Sequence, residues 1–271
     1  MSLMSDAYAP VLASVRESSP LVQCLTNSVV VNVTANALLA VGAAPVMADV
    51  PEEAGECAAV ASAVLVNLGT PTAEQREAML AAASSAHLAG VPWVLDPVGV
   101  GALGMRTAFA QRLLDLEPTA VRGNASEIRA LAGVGAGGRG VDAADDVDAA
   151  LDAAREIAQR TGAVVAVSGP VDAVVAVRRV ARIHGGSALL TRITGGGCSL
   201  GAVTAACIAA AGDAFAGAVA AHALYAAASE RAAAASDGPG SFGWRFLDAL
   251  DAVSPSDLAA VRVDETTAVR G

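Results

Sequence analysis

Ile193 to Val203 reads Ile-Thr-Gly-Gly-Gly-Cys-Ser-Leu-Gly-Ala-Val, three consecutive glycines and a cysteine followed by small apolar residues at helical spacing. Glycines let the backbone turn tightly and approach a ligand, and the following helix directs its unpaired N–H groups and positive dipole end into that turn. The chemistry this predicts is the seating of an oxyanion or phosphate, with Thr194, Gly195 and Gly197 beside it. Cys198 lies in the first helical turn, where the same field is expected to lower its pKa from the usual value of roughly 8.5 and make it a modest base.

Other polar residues fit phosphoryl transfer. Asp96 and Glu127 are placed to hold Mg²⁺ directly or through water, Arg122 to neutralise nucleotide phosphates, and the glycine turn to support the migrating phosphoryl group. All 17 basic residues other than histidine are arginines. The absence of lysine excludes a P-loop of the form G-x-x-x-x-G-K-[ST] and a Schiff-base lysine, so phosphate falls to backbone N–H groups, arginine or a metal. Cys24, Cys57, Cys198 and Cys207 are scattered, which argues against a disulfide framework or structural zinc. His87, His184 and His222 show no metal or triad spacing, which disfavours a cysteine hydrolase.

These residues need a scaffold, and the alternation of short apolar runs with Ala-rich stretches predicts one. Leu21 to Leu25, Ala44 to Met47, Ala63 to Asn67, Pro92 to Leu95, Ala120 to Val121 and Ala163 to Val167 read as buried parallel strands. Between them lie helical stretches such as Thr72 to Ala89, followed by Gly90. Ala173 to Val177 and Val180 to Ile183 read as an antiparallel hairpin at one sheet edge. After the glycine turn the chain reads as helical to about Ala235 with a break near Gly212-Asp213, and a further helix covers Phe242 to Val253. Gly133 to Gly140, with the acidic stretch Asp142 to Asp148 after it, reads as a surface loop leading into a helix.

The expected fold class is therefore α/β, a mostly parallel central sheet with helices on both faces, and the 271 residues are expected to form a single domain. In such sheets ligands sit outside the carboxyl ends of the strands. Thr26-Asn27, Met47 to Asp49, Asp96-Pro97, Arg122-Gly123-Asn124 and Ser168-Gly169 all follow predicted strands and outline a pocket with the glycine turn. Taken singly, Met47 reads as core, Asp96 as a turn former, Arg122 as a surface ion pair, and Asn124 and Glu127 as helix caps.

Composition narrows the partners. A formal net charge of −10 argues against nucleic acid and anionic membranes. With 54% hydrophobic but only 3% aromatic residues, the core is expected to be Ala, Val and Leu between closely spaced helices. The charge-free windows Val29 to Ala48 and Ile193 to Gly212 read as buried segments of a soluble domain rather than membrane spans. The first ten residues lack the pattern of a secretory signal, and a cytoplasmic location is expected.

As an ordered set, Leu25-Thr26-Asn27, Ala44-Pro45-Val46-Met47-Ala48, Leu95 to Ala102, Arg122-Gly123-Asn124-Ala125-Ser126-Glu127-Ile128, Ser168-Gly169 and Thr194-Gly195-Gly196-Gly197-Cys198 resemble the hydroxyethylthiazole kinases, ribokinase-like enzymes of thiamine salvage. The resemblance runs from about Leu21 to Ala228. It implies a ribokinase-like three-layer fold and ATP-dependent phosphorylation of a thiazole alcohol with Mg²⁺. Met47 and Gly195 would contact the thiazole, and Asn27 would line its pocket, from its own or a neighbouring subunit of a homotrimer with sites at subunit interfaces. Arg122 and Ser168 would contact ATP, and Cys198 would stand where related sugar kinases carry an aspartate base. Gly196 replaces a usual threonine and Pro170 a common acidic residue, which implies altered affinity rather than lost activity. A ribokinase-like kinase for another small alcohol and a non-catalytic nucleotide- or thiazole-binding protein are the competing readings.

Overall fold

The computed structural model describes residues 7–134 and 147–267, so the expected glycine-rich loop and acidic stretch lie, except for their ends, outside the described residues. The strands are β1 Leu21–Leu25, β2 Ala44–Val46, β3 Ala63–Asn67, β4 Trp93–Asp96, β5 Ala120–Asn124, β6 Val164–Ser168, β7 Asp172–Val175, β8 Arg179–Ile183 and β9 Val263–Thr267. They form one sheet in the order β2-β1-β3-β4-β5-β6-β7-β8-β9. Neighbours from β2 to β6 are parallel, and those from β6 to β9 antiparallel.

Helices cover both faces, as the strand–helix alternation requires. Helices α1 Ala9–Ser18, α2 Val31–Val41, α8 Gly196–Ala211, α9 Ala214–Ala234, α10 Pro239–Ala252 and α11 Pro255–Ala260 share a core with Val22, Cys24, Ala63, Leu65 and Val94. On the other face α3 Pro51–Val60, α4 Ala73–Ala89, α5 Gly104–Leu114, α6 Ala125–Leu131 and α7 Val147–Thr161 pack with Leu25, Val64, Val66, Leu95 and Val121. Successive residues of a strand point to opposite faces, so Ala63 and Leu65 enter one core and Val64 and Val66 the other. Both cores are dominated by small and branched aliphatic residues, and the scarcity of aromatics is met by close packing of alanine-rich helices.

Two expectations on elements need correction. The fifth strand continues beyond Val121 through Asn124, because Arg122, Gly123 and Asn124 pair with Ala166, Val167 and Ser168 of β6. The β7–β8 hairpin is not the sheet edge, since β9 pairs with β8 from Ile183 opposite Val263 to Arg179 opposite Thr267. The sequence Val-Asp-Glu-Thr-Thr is too polar to signal a strand, and its pairing is supported from outside: Glu265 accepts hydrogen bonds from Tyr8 and, at 2.8 Å, from Arg179. The break at Gly212-Asp213 occurs as expected, with Gly212 left-handed at the end of α8 and the Asp213 side chain capping α9. No described helix is long and apolar enough to cross a membrane.

At the other end of the sheet, Gln23 in β1 is fully buried and its Nε2 donates to the carbonyls of Ala48 at 2.8 Å and Ala54 at 3.0 Å. These bonds fix the segment after β2 that carries Met47. Replacing Gln23 by leucine is expected to lower the unfolding free energy by roughly 1–3 kcal/mol, the cost of losing buried polar partners, and a shifted denaturant midpoint will show it.

Candidate active site

Each parallel strand from β1 to β6 ends on the same side of the sheet, and the polar residues there form a continuous row. Asn27, just past β1, donates from Nδ2 to Asn67 Oδ1 at 3.1 Å. Asn67, the last residue of β3, donates in turn from Nδ2 to Asp96 Oδ2 at 2.8 Å, while its Oδ1 also accepts the Gly69 N–H at 2.9 Å. Asp96 ends β4, and Arg122 Nη1 of β5 stands 3.9 Å from its Oδ2. Arg122 Nη2 then donates to Ser168 Oγ at the end of β6, at 2.7 Å. Asn67 was not singled out by the sequence. An asparagine ending a predicted strand beside Asn27 and Asp96 was the available signal, because a buried amide with both a donor and an acceptor can link unlike neighbours.

The glycine turn closes over this row. Gly195 caps α8 at φ +90°, and a Cβ there would fall 2.3 Å from Val33 Cγ1, so both backbone and space demand glycine. A Cβ on Gly197 would lie 2.9 Å from Arg122 Nη1, which shows how closely the turn approaches the guanidinium. The first bond within α8 runs from Ser199 N to Gly195 O at 2.8 Å. The N–H groups of Gly196, Gly197 and Cys198 precede it and face the turn, the arrangement that favours anions. Tyr225 of α9 supports the turn from behind, donating at 2.9 Å to Ser199 Oγ, which itself donates to the Gly195 carbonyl at 2.7 Å.

Cys198 Sγ accepts from Asn27 Nδ2 at 3.6 Å, so the thiol joins the same network. Its acidity differs from the expectation. Burial and the neighbouring Asp96 push the thiol up to about 11, and the amides of Asn67 and Asn27 with Arg122 offset only part of this. Desolvation of the thiol, with the nearby carboxylate, penalises the thiolate more than the local donors favour it.

Asp96 is fully buried, and burial raises its carboxyl to about 7; Glu127 acts in the same direction and Arg122 and Asn67 oppose it. Glu127 has a defined structural task. Its Oε2 accepts the Asn124 N–H at 3.0 Å and its Oε1 the Gly99 N–H at 3.0 Å, while the Asn124 side chain accepts the Glu127 N–H at 2.9 Å. This capping box starts α6 and ties the loop after Asp96 to it. Both oxygens are thus engaged by backbone donors, whereas Asp96 Oδ1, Arg122 Nε and Thr26 Oγ1 are buried among the described residues without a hydrogen-bond partner. At these strand ends such atoms keep hydrogen-bonding capacity that a ligand can meet.

The structure therefore brings together Asn27, Asp96, Arg122, Glu127, Ser168, Gly195, Gly197 and Cys198. Met47 lies one strand further out, half-buried against the core, and Thr194 is exposed ahead of the turn.

The family model of the hydroxyethylthiazole kinases matches residues 12–256. The chain belongs to the hydroxyethylthiazole kinase family. It is 58% identical over 251 residues to a hydroxyethylthiazole kinase of Clavibacter sepedonicus, covering 93% of this chain and 91% of that one. Among solved structures, the hydroxyethylthiazole kinase protein of Pyrococcus horikoshii OT3 superposes with a TM-score of 0.88 at 36% identity, covering 96% of this chain and 99% of that one. The pyridoxal kinase of Staphylococcus aureus in complex with AMP-PCP and pyridoxal shares the fold, with a TM-score of 0.63 at 13% identity over 92% of this chain and 99% of that one. The ribokinase-like three-layer architecture expected of a hydroxyethylthiazole kinase is present.

With its thiol raised to about 11, Cys198 of the ligand-free protein is expected to react slowly with iodoacetamide at pH 8 and to accelerate steadily through pH 10. Mass spectrometry of the Cys198 peptide reads the profile. A rate that levels off below pH 9 would show that the helix terminus governs the thiol after all.

Proposed function

We propose that this protein transfers the γ-phosphoryl group of ATP to the primary alcohol of 4-methyl-5-(2-hydroxyethyl)thiazole, in the cytoplasm, as a step of thiamine salvage. The observation that carries the reading is the row Asn27-Asn67-Asp96-Arg122-Ser168 lying under the N-terminus of α8, with Cys198 within it.

In this reading Arg122 and Ser168 bind the nucleotide, and the guanidinium adds its charge to the N–H groups of the turn, with Thr194 and Gly197 beside the phosphates. Phosphoryl transfer runs through a loose transition state with little bond formation to the nucleophile, so alignment and charge neutralisation dominate. Donors fixed before the reaction need no reorganisation when charge develops. The thiazole alcohol is placed by Gly195, Met47 and Asn27 so that its hydroxyl faces Cys198. With its thiol pushed up to about 11, Cys198 acts as base only from the minor thiolate form, whose sulfur takes the alcohol's proton to give S–H late, once the oxygen has begun to bond to phosphorus.

The residues fit Mg²⁺ in one respect more than another. The unpartnered, buried Oδ1 of Asp96 is a hard oxygen of the kind this ion takes, and Mg²⁺ commonly uses one or two carboxylates together with substrate phosphates and water. Glu127, with its oxygens on backbone donors, would take part through water. When bound, the ion neutralises charge on the phosphate oxygens.

Trp244, 75% exposed, lines one cavity with Thr194 and Gly196 of the turn and another with Leu39, and this exposed apolar surface supports a homotrimer with sites at subunit interfaces.

Incubation with Mg-ATP and the thiazole alcohol should yield the phosphorylated thiazole by mass, dependent on both substrates. A folded protein that binds ATP and makes no product would refute the assignment in favour of another alcohol or a binding role. Cys198→Ala is expected to lower kcat at least tenfold with nucleotide affinity unchanged. Arg122→Ala is expected to raise the KM for ATP at least tenfold, since charge-assisted phosphate contacts are among the stronger hydrogen bonds; initial-rate kinetics separate the two.

A further inference from the structure

Ser168 ends β6 just before the turn into β7, and that turn is held by a group that the proposed phosphoryl transfer does not use. Asp172, the first residue of β7, accepts the Gly169 N–H on Oδ1 at 2.8 Å. Its Oδ2 accepts a hydrogen bond from His222 Nδ1 of α9 at 2.6 Å. His222 is fully buried, and its Nε2 has no partner among the described residues.

Packing alone is a poor reason for this ring. A buried nitrogen without a partner costs free energy that a leucine or phenylalanine would not, so the imidazole is retained at a cost. What it gains is the short bond to Asp172. Through it, α9, which packs against β6 and β7, reaches the turn carrying the exposed Gly169 and Pro170. One residue before the bonded Gly169, the Ser168 hydroxyl receives Arg122. The chain of contacts is therefore His222, Asp172, Gly169 N–H, Ser168, Arg122. The turn also carries Pro170, which lacks an N–H and offers no side-chain donor or acceptor of its own to anchor it.

We propose that His222 is a positioning residue for the nucleotide: by holding Asp172 it fixes the turn that presents Ser168 to Arg122. The inference rests on the reading of Arg122 and Ser168 as the ATP contacts.

Kinetics with both substrates test it. His222→Leu should raise the KM for ATP about tenfold, with kcat and the KM for the thiazole alcohol within twofold of the parent. His222→Asn can place an amide N–H where Nδ1 stood and should restore the KM for ATP to within about threefold. Asp172→Ala, on a part-exposed turn, should match His222→Leu, and the double variant should be no worse than either, as expected of residues acting in one chain. An unchanged KM for ATP in His222→Leu, equal loss in the asparagine and leucine variants, or additive effects in the double variant would each overturn the proposal. Should the leucine variant fail to fold, His222→Gln decides, since its amide lies further out than Nδ1. It should raise the KM for ATP alone and add nothing in the Asp172→Ala background; a further rise there refutes the link. Arg122→Ala serves as the control. If it raises the KM for ATP while His222 variants do not, only this inference fails; if it has no effect, the nucleotide-site reading fails and this inference falls with it.

Discussion

The structure depends on the burial of a carboxylate at the end of a central strand. Asp96 closes β4 with no solvent exposure, and a charge there is tolerable only with partners. Asn67 supplies a hydrogen bond, Arg122 supplies opposite charge, and Gly201 of α8 packs against it so closely that a Cβ would lie 3.3 Å from Oδ2. Those partners do not suffice to keep its acidity normal, since burial still lifts it to about 7. Burial of its own sulfur, and after it the Asp96 carboxylate, raises the thiol of Cys198.

The rest of the fold holds this arrangement rigid. Parallel strands bring Asn27, Asn67, Asp96, Arg122 and Ser168 into one row, because adjacent strands end together when their registers run in step. Helix α6 is started by the Asn124–Glu127 capping box, which also anchors the loop after Asp96 through Gly99. Helix α8 is nearly all small residues, which lets it lie close to β3 and β4 and bring its N-terminus over the row. Tyr225 and Ser199 hold the turn from the far side.

Gly196 can be explained locally. A Cβ there would stand 2.7 Å from the carbonyl oxygen of Leu190, in the short 3₁₀ segment Ala188–Arg192 that leads into the turn. Without that Cβ the segment closes directly on the helix start. The backbone N–H groups of the turn are preserved, which is what anion binding requires.

The sequence by itself determined much of this protein. Alternating apolar runs and alanine-rich stretches set the order of strands and helices, Thr72 and Gly90 bounded α4, and the three glycines before Cys198 marked the turn that opens α8. These are local signals, carried by residue periodicity and by the few backbone conformations that glycine alone adopts freely. Tertiary structure decided the rest. The strand character of Arg122 to Asn124 and of Val263 to Thr267 comes from pairing with distant strands, and polar residues do not announce such pairing. Tyr225 and the His222–Asp172 link became visible only when helices and strands remote in sequence were brought together. The acidity of Cys198 was decided the same way. A helix terminus can be read from sequence, but the water excluded around a thiol and the carboxylate placed beside it depend on everything that packs there.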